Sequence, residues 1–168
     1  MKLFGARSCP WQALLAYVLK AEYGLSPLPE IARTPQGKPH FPDRPDLHFS
    51  VSHTGDLVLC AVSACPVGTD IETIRPRRDS LPRYALTEEE QRGWQALGRD
   101  WPAFYTLWTR KEAWCKYTGQ GLRALWGQTP PKEGLCWGQY AGDGWRAAVC
   151  GQEKPPETIC WLEKGDLP

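Results

Sequence analysis

The sequence predicts an α+β fold of helices packed on antiparallel sheets. Three patterns carry that reading. Residues 47–52 alternate apolar and polar side chains, and after a Thr54-Gly55-Asp56 turn an apolar run covers 57–62, which together look like a hairpin. Residues 10–23 and 102–117 read as helices, the first with apolar side chains at helical spacing. Beyond Gly121 the chain breaks into short β-prone runs, 135–140, 145–150 and 158–162, separated by Gly, Asp and Pro. Such a mixture of helices and antiparallel hairpins is α+β.

Taken in order, the first helix carries Trp11, Leu14, Leu15, Val18 and Leu19 on one stripe, with Ser8 as the expected N-terminal cap and Gly24 as the stop. A Pro-rich loop follows over 26–45 and holds Gly37-Lys38-Pro39. Leu47, Phe49 and Val51 then alternate with His48, Ser50 and Ser52, and a second apolar run covers 57–62. Cys65-Pro66 breaks the hairpin, and 67–72 makes a third strand. Residues 75–83 form a basic, Pro-containing segment in which Arg75, Arg77, Arg78 and Arg83 face a single Asp79. Thr87-Glu88-Glu89-Glu90 is a capping box, so a helix runs from there to about Leu97. Pro102 opens the next helix and Gly119 ends it.

Composition narrows the function. The 168 residues suit one domain or two small lobes. With 42% hydrophobic and 23% charged residues, the chain is globular rather than disordered. A net charge of +1 argues against a general nucleic-acid coat. No apolar stretch reaches transmembrane length, and residues 1–10 do not read as a secretion signal. The seven cysteines contain no Cys-x-x-Cys pair, so free thiols in a reducing, cytoplasmic setting are expected. The nine tryptophans are scattered without a repeat, which favours core packing over a carbohydrate-binding platform.

Several residues have the right chemistry for a site. Asp70 and Glu72 are two apart on a strand, so both side chains leave one face. Most such pairs are merely solvated, but with a third carboxylate, Glu112, they make a hard oxygen set of the kind Mg²⁺ prefers. Glu112 and Lys116 share a helix face, with Lys111 beside them. A surface pair would be the ordinary explanation. Here Phe104, Tyr105, Trp108, Trp114 and Tyr117 crowd the same helix, and charges among apolar neighbours need partners. Ser52-His53 ends a strand at a turn, where His is a structural or a phosphate-contacting group. Lys38, in its rigid loop, suits a phosphate. There is no Walker A run, no Gly-x-Gly-x-x-Gly and no Gly-x-Ser-x-Gly.

Gly37-Lys38-Pro39, Phe49-Ser50-Val51-Ser52-His53-Thr54, Val67-Gly68-Thr69-Asp70-Ile71-Glu72, Leu86-Thr87 to Glu90, and Trp108-Thr109-Arg110-Lys111-Glu112-Ala113 to Lys116, then Gly119 and Gly121-Leu122, occur in that order. This succession resembles the 4′-phosphopantetheinyl transferases of the surfactin-synthetase-activating type, over most of the chain. The pairing of Gly-x-Asp-Ile-Glu with Trp-Thr-x-Lys-Glu-Ala-x-x-Lys is the specific part. The resemblance implies two pseudo-related lobes, 1–66 (shortened) and 67–168 (carrying the metal site), with the active site between them. It implies Mg²⁺-dependent transfer of the phosphopantetheine arm of coenzyme A to a serine of an acyl or peptidyl carrier protein, with release of 3′,5′-ADP. By similarity Asp70, Glu72 and Glu112 are the metal ligands, and Glu112, Lys116 and Asp70 carry the catalysis, Glu112 as base. Arg7, Ser8, Lys38, Ser52, His53, Lys111 and Lys116 are the implied coenzyme A contacts. Glu90 falls on an acidic position of the family and is also the capping-box residue.

The family's first lobe begins with strands ahead of its first helix, whereas this chain is expected to start almost at that helix. Ser50 replaces the family's common Asn and Leu86 its usual Phe. Carrier proteins of this kind are acidic, so Arg75, Arg77 and Arg78 are the expected docking residues. A monomer or a weak dimer, covering an open sheet edge, is expected. The competing reading is a homologue that binds coenzyme A or a carrier without transferring anything.

Overall fold

The computed structural model describes residues 1–78, 80–121, 127–163 and 165–167. Asp79 of the basic segment and Leu122 of the last motif lie outside the described residues.

The chain does not start at its first helix. A strand, β1 (Lys2–Arg7), precedes it and buries Leu3, Phe4 and Ala6. Its four inner residues are all buried, so it shows no alternation. Helix α1 (Trp11–Tyr23) then buries Leu14, Leu15, Val18 and Leu19, and Gly24 ends it in the left-handed conformation, φ 65°. The expected Ser8 cap is not made: the N-cap is Pro10, with no side-chain cap. Ser8 lies two residues too early and is held elsewhere, its amide donating to the Asp56 carbonyl at 2.7 Å.

Inside the Pro-rich loop, β2 (Ala32–Arg33) and β3 (Pro39–His40) form a minimal hairpin. The predicted hairpin follows as β4 (His48–Thr54) and β5 (Leu57–Ser63), paired antiparallel with Thr54 opposite Leu57. Then come β6 (Val67–Thr73), α2 (Ser80–Ala85), α3 (Glu88–Ala96), α4 (Trp101–Thr118), β7 (Cys136–Gly142), β8 (Trp145–Gly151) and β9 (Cys160–Trp161). The Thr87–Glu90 capping box is formed in both directions, and Asp100 caps α4 through Ala103 N at 2.9 Å. Helix α2 falls where the basic segment shows no helical pattern.

Two main sheets result, in the orders β4-β5-β1-β9 and β6-β8-β7. All pairs are antiparallel except β1 with β9. The first sheet packs α1 on one face. Its other face meets the second sheet through Leu57, Leu59, Ala61, Val67, Ile71, Ala147 and Val149. An aromatic cluster of Trp94, Phe104, Tyr105 and Trp108 joins α2, α3 and α4. This is the α+β mixture of antiparallel sheets and packed helices that the sequence predicts. All seven cysteines are free thiols. Among the described residues no helix is long and apolar enough to cross a membrane.

Helix α4 lies against β6 and β8. Gly68 explains how closely. A Cβ there would fall 2.8 Å from Tyr117 Cα, and closer still to Tyr117 N and the Ala113 carbonyl oxygen. These are backbone atoms that cannot step aside. The motif glycine is therefore a matter of clearance, and it sits two residues before Asp70. Gly68→Ala should cost about 2 kcal/mol or more of stability, since overpacking a tight contact costs roughly 1–3 kcal/mol. Urea unfolding measures this, and a midpoint unchanged by the substitution would contradict the tight contact.

Candidate active site

Strands β4 and β6 are edges of different sheets, and they face each other. Hydroxyl groups fill the seam. Thr69 N donates to Ser50 Oγ at 3.0 Å, Ser52 Oγ donates to Asp70 Oδ1 at 2.7 Å, and Thr54 Oγ1 donates to Glu72 Oε2 at 3.3 Å. The period-two spacing of Ser50, Ser52 and Thr54 puts all three on one face of β4. The same period puts Asp70 and Glu72 on the matching face of β6. Sequence reasoning names Thr54 only as part of the turn and the motif, although its period-two spacing from Ser50 and Ser52 is the available signal.

Helix α4 supplies the other half. Lys116 Nζ lies 2.7 Å from Asp70 Oδ1 and donates to Ser52 Oγ at 2.8 Å. Asp70 is only 3% exposed. Its charge is thus held by one ammonium and one hydroxyl, as a buried carboxylate requires. Glu112, one turn before Lys116, is pushed up from its ordinary 4.5 to about 7, mainly by burial and then by the Asp70 charge, with Lys116 opposing. Glu72 is raised too, again by burial first and Asp70 second, while the Thr54 hydrogen bond opposes. Asp70, Glu72 and Glu112 therefore sense one another and share one lysine.

The fit of this set to a divalent ion can be judged from its chemistry. Three hard carboxylates converge electrostatically, and among the described residues Asp70 Oδ2 is buried without any hydrogen-bond partner. Such an oxygen is the kind a hard cation satisfies. Among the described residues, no three His, Cys, Asp or Glu side chains are already closed into a metal cage.

Beside this cluster opens a cleft of about 400 Å³, whose lining includes Lys38, Ser52, His53 and Lys116 together with Trp11 and Arg33. Four of the residues expected to contact coenzyme A thus share one cleft. His53 is exposed. Lys38 is engaged: its ammonium donates to the Tyr117 carbonyl at 2.6 Å, at the C-terminal end of α4, and burial pulls its pKa down. Sequence reasoning missed Arg33, which faces Pro39 across the small hairpin and donates to the Gly37 carbonyl at 2.9 Å.

Other expected contacts lie elsewhere. Arg7 pairs with Asp56 at 2.8 Å, and Arg7 and Ser8 line a separate hollow with Trp145 and Trp161. Lys111 is 3% exposed. Its ammonium pairs with Glu90 at 2.8 Å and donates to the Gln128 carbonyl at 2.6 Å. Adjacent positions on a helix diverge by about 100°, so Lys111 and Glu112 point to different surroundings. Glu90 serves both this pair and the capping box. Arg75, Arg77 and Arg78 are exposed. Arg77 also donates to the Tyr105 hydroxyl at 3.3 Å.

Residues 66–133 match the model of the 4′-phosphopantetheinyl transferase superfamily. A 4′-phosphopantetheinyl transferase of Bacillus subtilis is 39% identical over 88 residues, covering 51% of this chain and 39% of that protein. The 4′-phosphopantetheinyl transferase AcpT of Salmonella typhi is 39% identical over 120 residues, 68% of this chain and 61% of that protein. The 4′-phosphopantetheinyl transferase psf-1 of Bacillus pumilus is 34% identical over 115 residues, 66% of this chain and 49% of that protein. The chain thus spans about two fifths of the first of these relatives and three fifths of the second.

The raised Glu112 has a consequence for stability. Between pH 4.5 and about 7 the folded protein holds a proton that the unfolded chain has released. Without divalent ions, this group's contribution is fully present below pH 4.5 and is lost as the pH rises to about 7; Glu72 acts in the same direction. Glu112→Gln should flatten the fall in melting temperature across that window. An identical slope in wild type and variant would refute the assignment.

Proposed function

We propose that this chain, which belongs to the 4′-phosphopantetheinyl transferase superfamily through residues 66–133, is an enzyme that transfers the 4′-phosphopantetheine arm of coenzyme A to a serine of an acyl or peptidyl carrier protein, releasing 3′,5′-ADP. One observation carries the reading. The two halves of the signature meet where Lys116 pairs at 2.7 Å with Asp70, 46 residues earlier in the chain, with Glu72 and Glu112 within electrostatic reach.

The chemistry is phosphoryl transfer, in which positioning and charge neutralisation do most of the work. Asp70, Glu72 and Glu112 are the residues that would hold Mg²⁺, which when bound offsets the negative charge of the pyrophosphate. Glu112, directly or through a bound water, accepts the proton of the carrier serine hydroxyl. The serine oxygen forms the new bond to phosphorus, the bond to the 3′,5′-ADP oxygen breaks, and ADP leaves with the electron pair. Lys116, already a counter-charge to Asp70, steadies the phosphates. Lys38, Ser52 and His53 line the wall of the cleft that receives the nucleotide end. Lys111, sequestered with Glu90, holds α4 to the start of α3 and so fixes the helix that carries Glu112. The lobes 1–66 and 67–168, with the site between them, are the frame for this reading, and the seven free thiols agree with a cytoplasmic setting.

An apo carrier protein incubated with coenzyme A and Mg²⁺ should gain the phosphopantetheine mass, and chelation should stop it. Glu112→Gln should lose at least a hundredfold in rate, in line with general-base contributions of roughly 10²–10⁴. Binding of coenzyme A with no mass gained by any carrier would favour the competing reading, a binding module.

Docking is tested apart from chemistry. Because Arg77 is tied to Tyr105, the cleaner variants are Arg75→Ala and Arg78→Ala. Together they should raise KM for the carrier several-fold and leave the Kd for coenzyme A unchanged, as expected of rim charges. Equal loss of both would sink the docking assignment.

A further inference from the structure

Helices α3 and α4 diverge from a shared aromatic base and leave a groove of about 650 Å³ between them. That volume falls within the range of roughly 300–1,000 Å³ seen for small-molecule sites. Trp94, Leu97, Ala103 and Leu107 contribute its apolar walls. Leu97 is 64% exposed, which is unusual for a large aliphatic side chain. At 100° per residue, Ala103, Leu107 and Arg110 lie on the side of α4 away from Glu112 and Lys116. The groove is therefore separate from the candidate active site, and a ligand held there does not depend on the transfer reading.

Arg110 gives the groove its chemistry. Its guanidinium stacks on Trp137, 4.4 Å from the ring centre, and its Nε is buried with no hydrogen-bond partner among the described residues. Among the described residues it has no carboxylate partner. A buried donor left unmade costs about 1–3 kcal/mol, more when charged, so it calls for an acceptor. The neighbouring charges settle which kind. Among the described lining residues, Glu90 is paired with Lys111, Glu89 and Lys132 carry opposite formal charges, and Arg110 is the remaining charge.

We propose that this groove binds an amphiphilic monoanion, an aliphatic chain ending in a carboxylate, with the carboxylate on Arg110 and the chain along Trp94, Leu97 and Leu107. A single guanidinium matches a single carboxylate, and the apolar walls take the chain by ordinary burial.

Calorimetric titration of the full chain tests this, with laurate, dodecanol and dodecyl phosphate, all below their aggregation concentrations. Laurate should bind one per chain, at least tenfold tighter than dodecanol and no weaker than the phosphate. Arg110→Met, which keeps an aliphatic stem on Trp137, should weaken laurate at least tenfold and leave dodecanol unchanged. Leu97→Glu, at an exposed position that cannot disturb folding, should also weaken laurate at least fivefold. No laurate binding, equal binding of laurate and dodecanol, tighter binding of the phosphate, or laurate binding indifferent to both substitutions would each overturn the proposal.

Discussion

A carboxylate that is almost fully buried at a sheet edge organises the molecule. Removing a charge from water costs several kcal/mol unless it is met by an opposite charge and hydrogen bonds. Asp70 has both, from Lys116 and Ser52, and each comes from a different element. That single oxygen, Asp70 Oδ1, therefore fixes where β4, β6 and α4 cross. Gly68 makes the crossing physically possible by omitting a side chain where the strand touches the helix backbone. Once the crossing is fixed, Glu72 and Glu112 are drawn into the field of an acid whose lysine is already engaged. Three carboxylates and one ammonium leave excess negative charge in a half-buried place. Burial first, and this excess charge second, is why both glutamates titrate high.

Much of this could be read in the chain, because the responsible patterns are local. The β4–β5 hairpin follows from alternation before the Gly55 turn and an apolar run after it, and α3 from a capping box whose two hydrogen bonds both form. The face shared by Asp70 and Glu72, and the one shared by Glu112 and Lys116, follow from strand and helix periods. What could not be read depends on burial or on competition between partners. Strand β1 is apolar on both faces, so it carries no alternation. Helix α2 is short, holds Pro82, and hides in a basic stretch without an apolar period. Ser8 has the right chemistry for a cap but lies at the wrong distance from Pro10, and the β4–β5 turn takes its amide. Lys111 has the right chemistry for a phosphate, but sequence cannot tell that Glu90 lies close enough to claim it.

The same competition shapes the cleft. Lys38 is spent on the last turn of α4, where the exposed carbonyls carry partial negative charge. It docks the β2–β3 hairpin onto the helix whose other turns hold Lys116 and Glu112. A residue that closes one wall of the cleft is thus tied by its ammonium to the helix that forms the opposite wall. The Lys38 ammonium is thus already oriented and partly desolvated. Orientation is supplied by the fold in advance, and the cost is borne in the lowered proton affinity of that lysine.

Helix α4 touches the aromatic core, the acidic cluster and the outer groove, and its angular order explains how. Phe104, Tyr105 and Trp108 face the aromatic core; Ala113 meets β8; Glu112 and Lys116 face β4 and β6; Ala103, Leu107 and Arg110 face the outer groove. A helix apolar over most of its circumference belongs in the interior. Here its charged residues interrupt that surface only where a partner is waiting: Glu90 for Lys111, Asp70 for Lys116, the Trp137 ring for Arg110. The exception is the Arg110 Nε, whose donor direction is unmet. Since the rest of the helix obeys the rule that buried polar groups are satisfied, that one departure is informative about the groove and not a defect of packing.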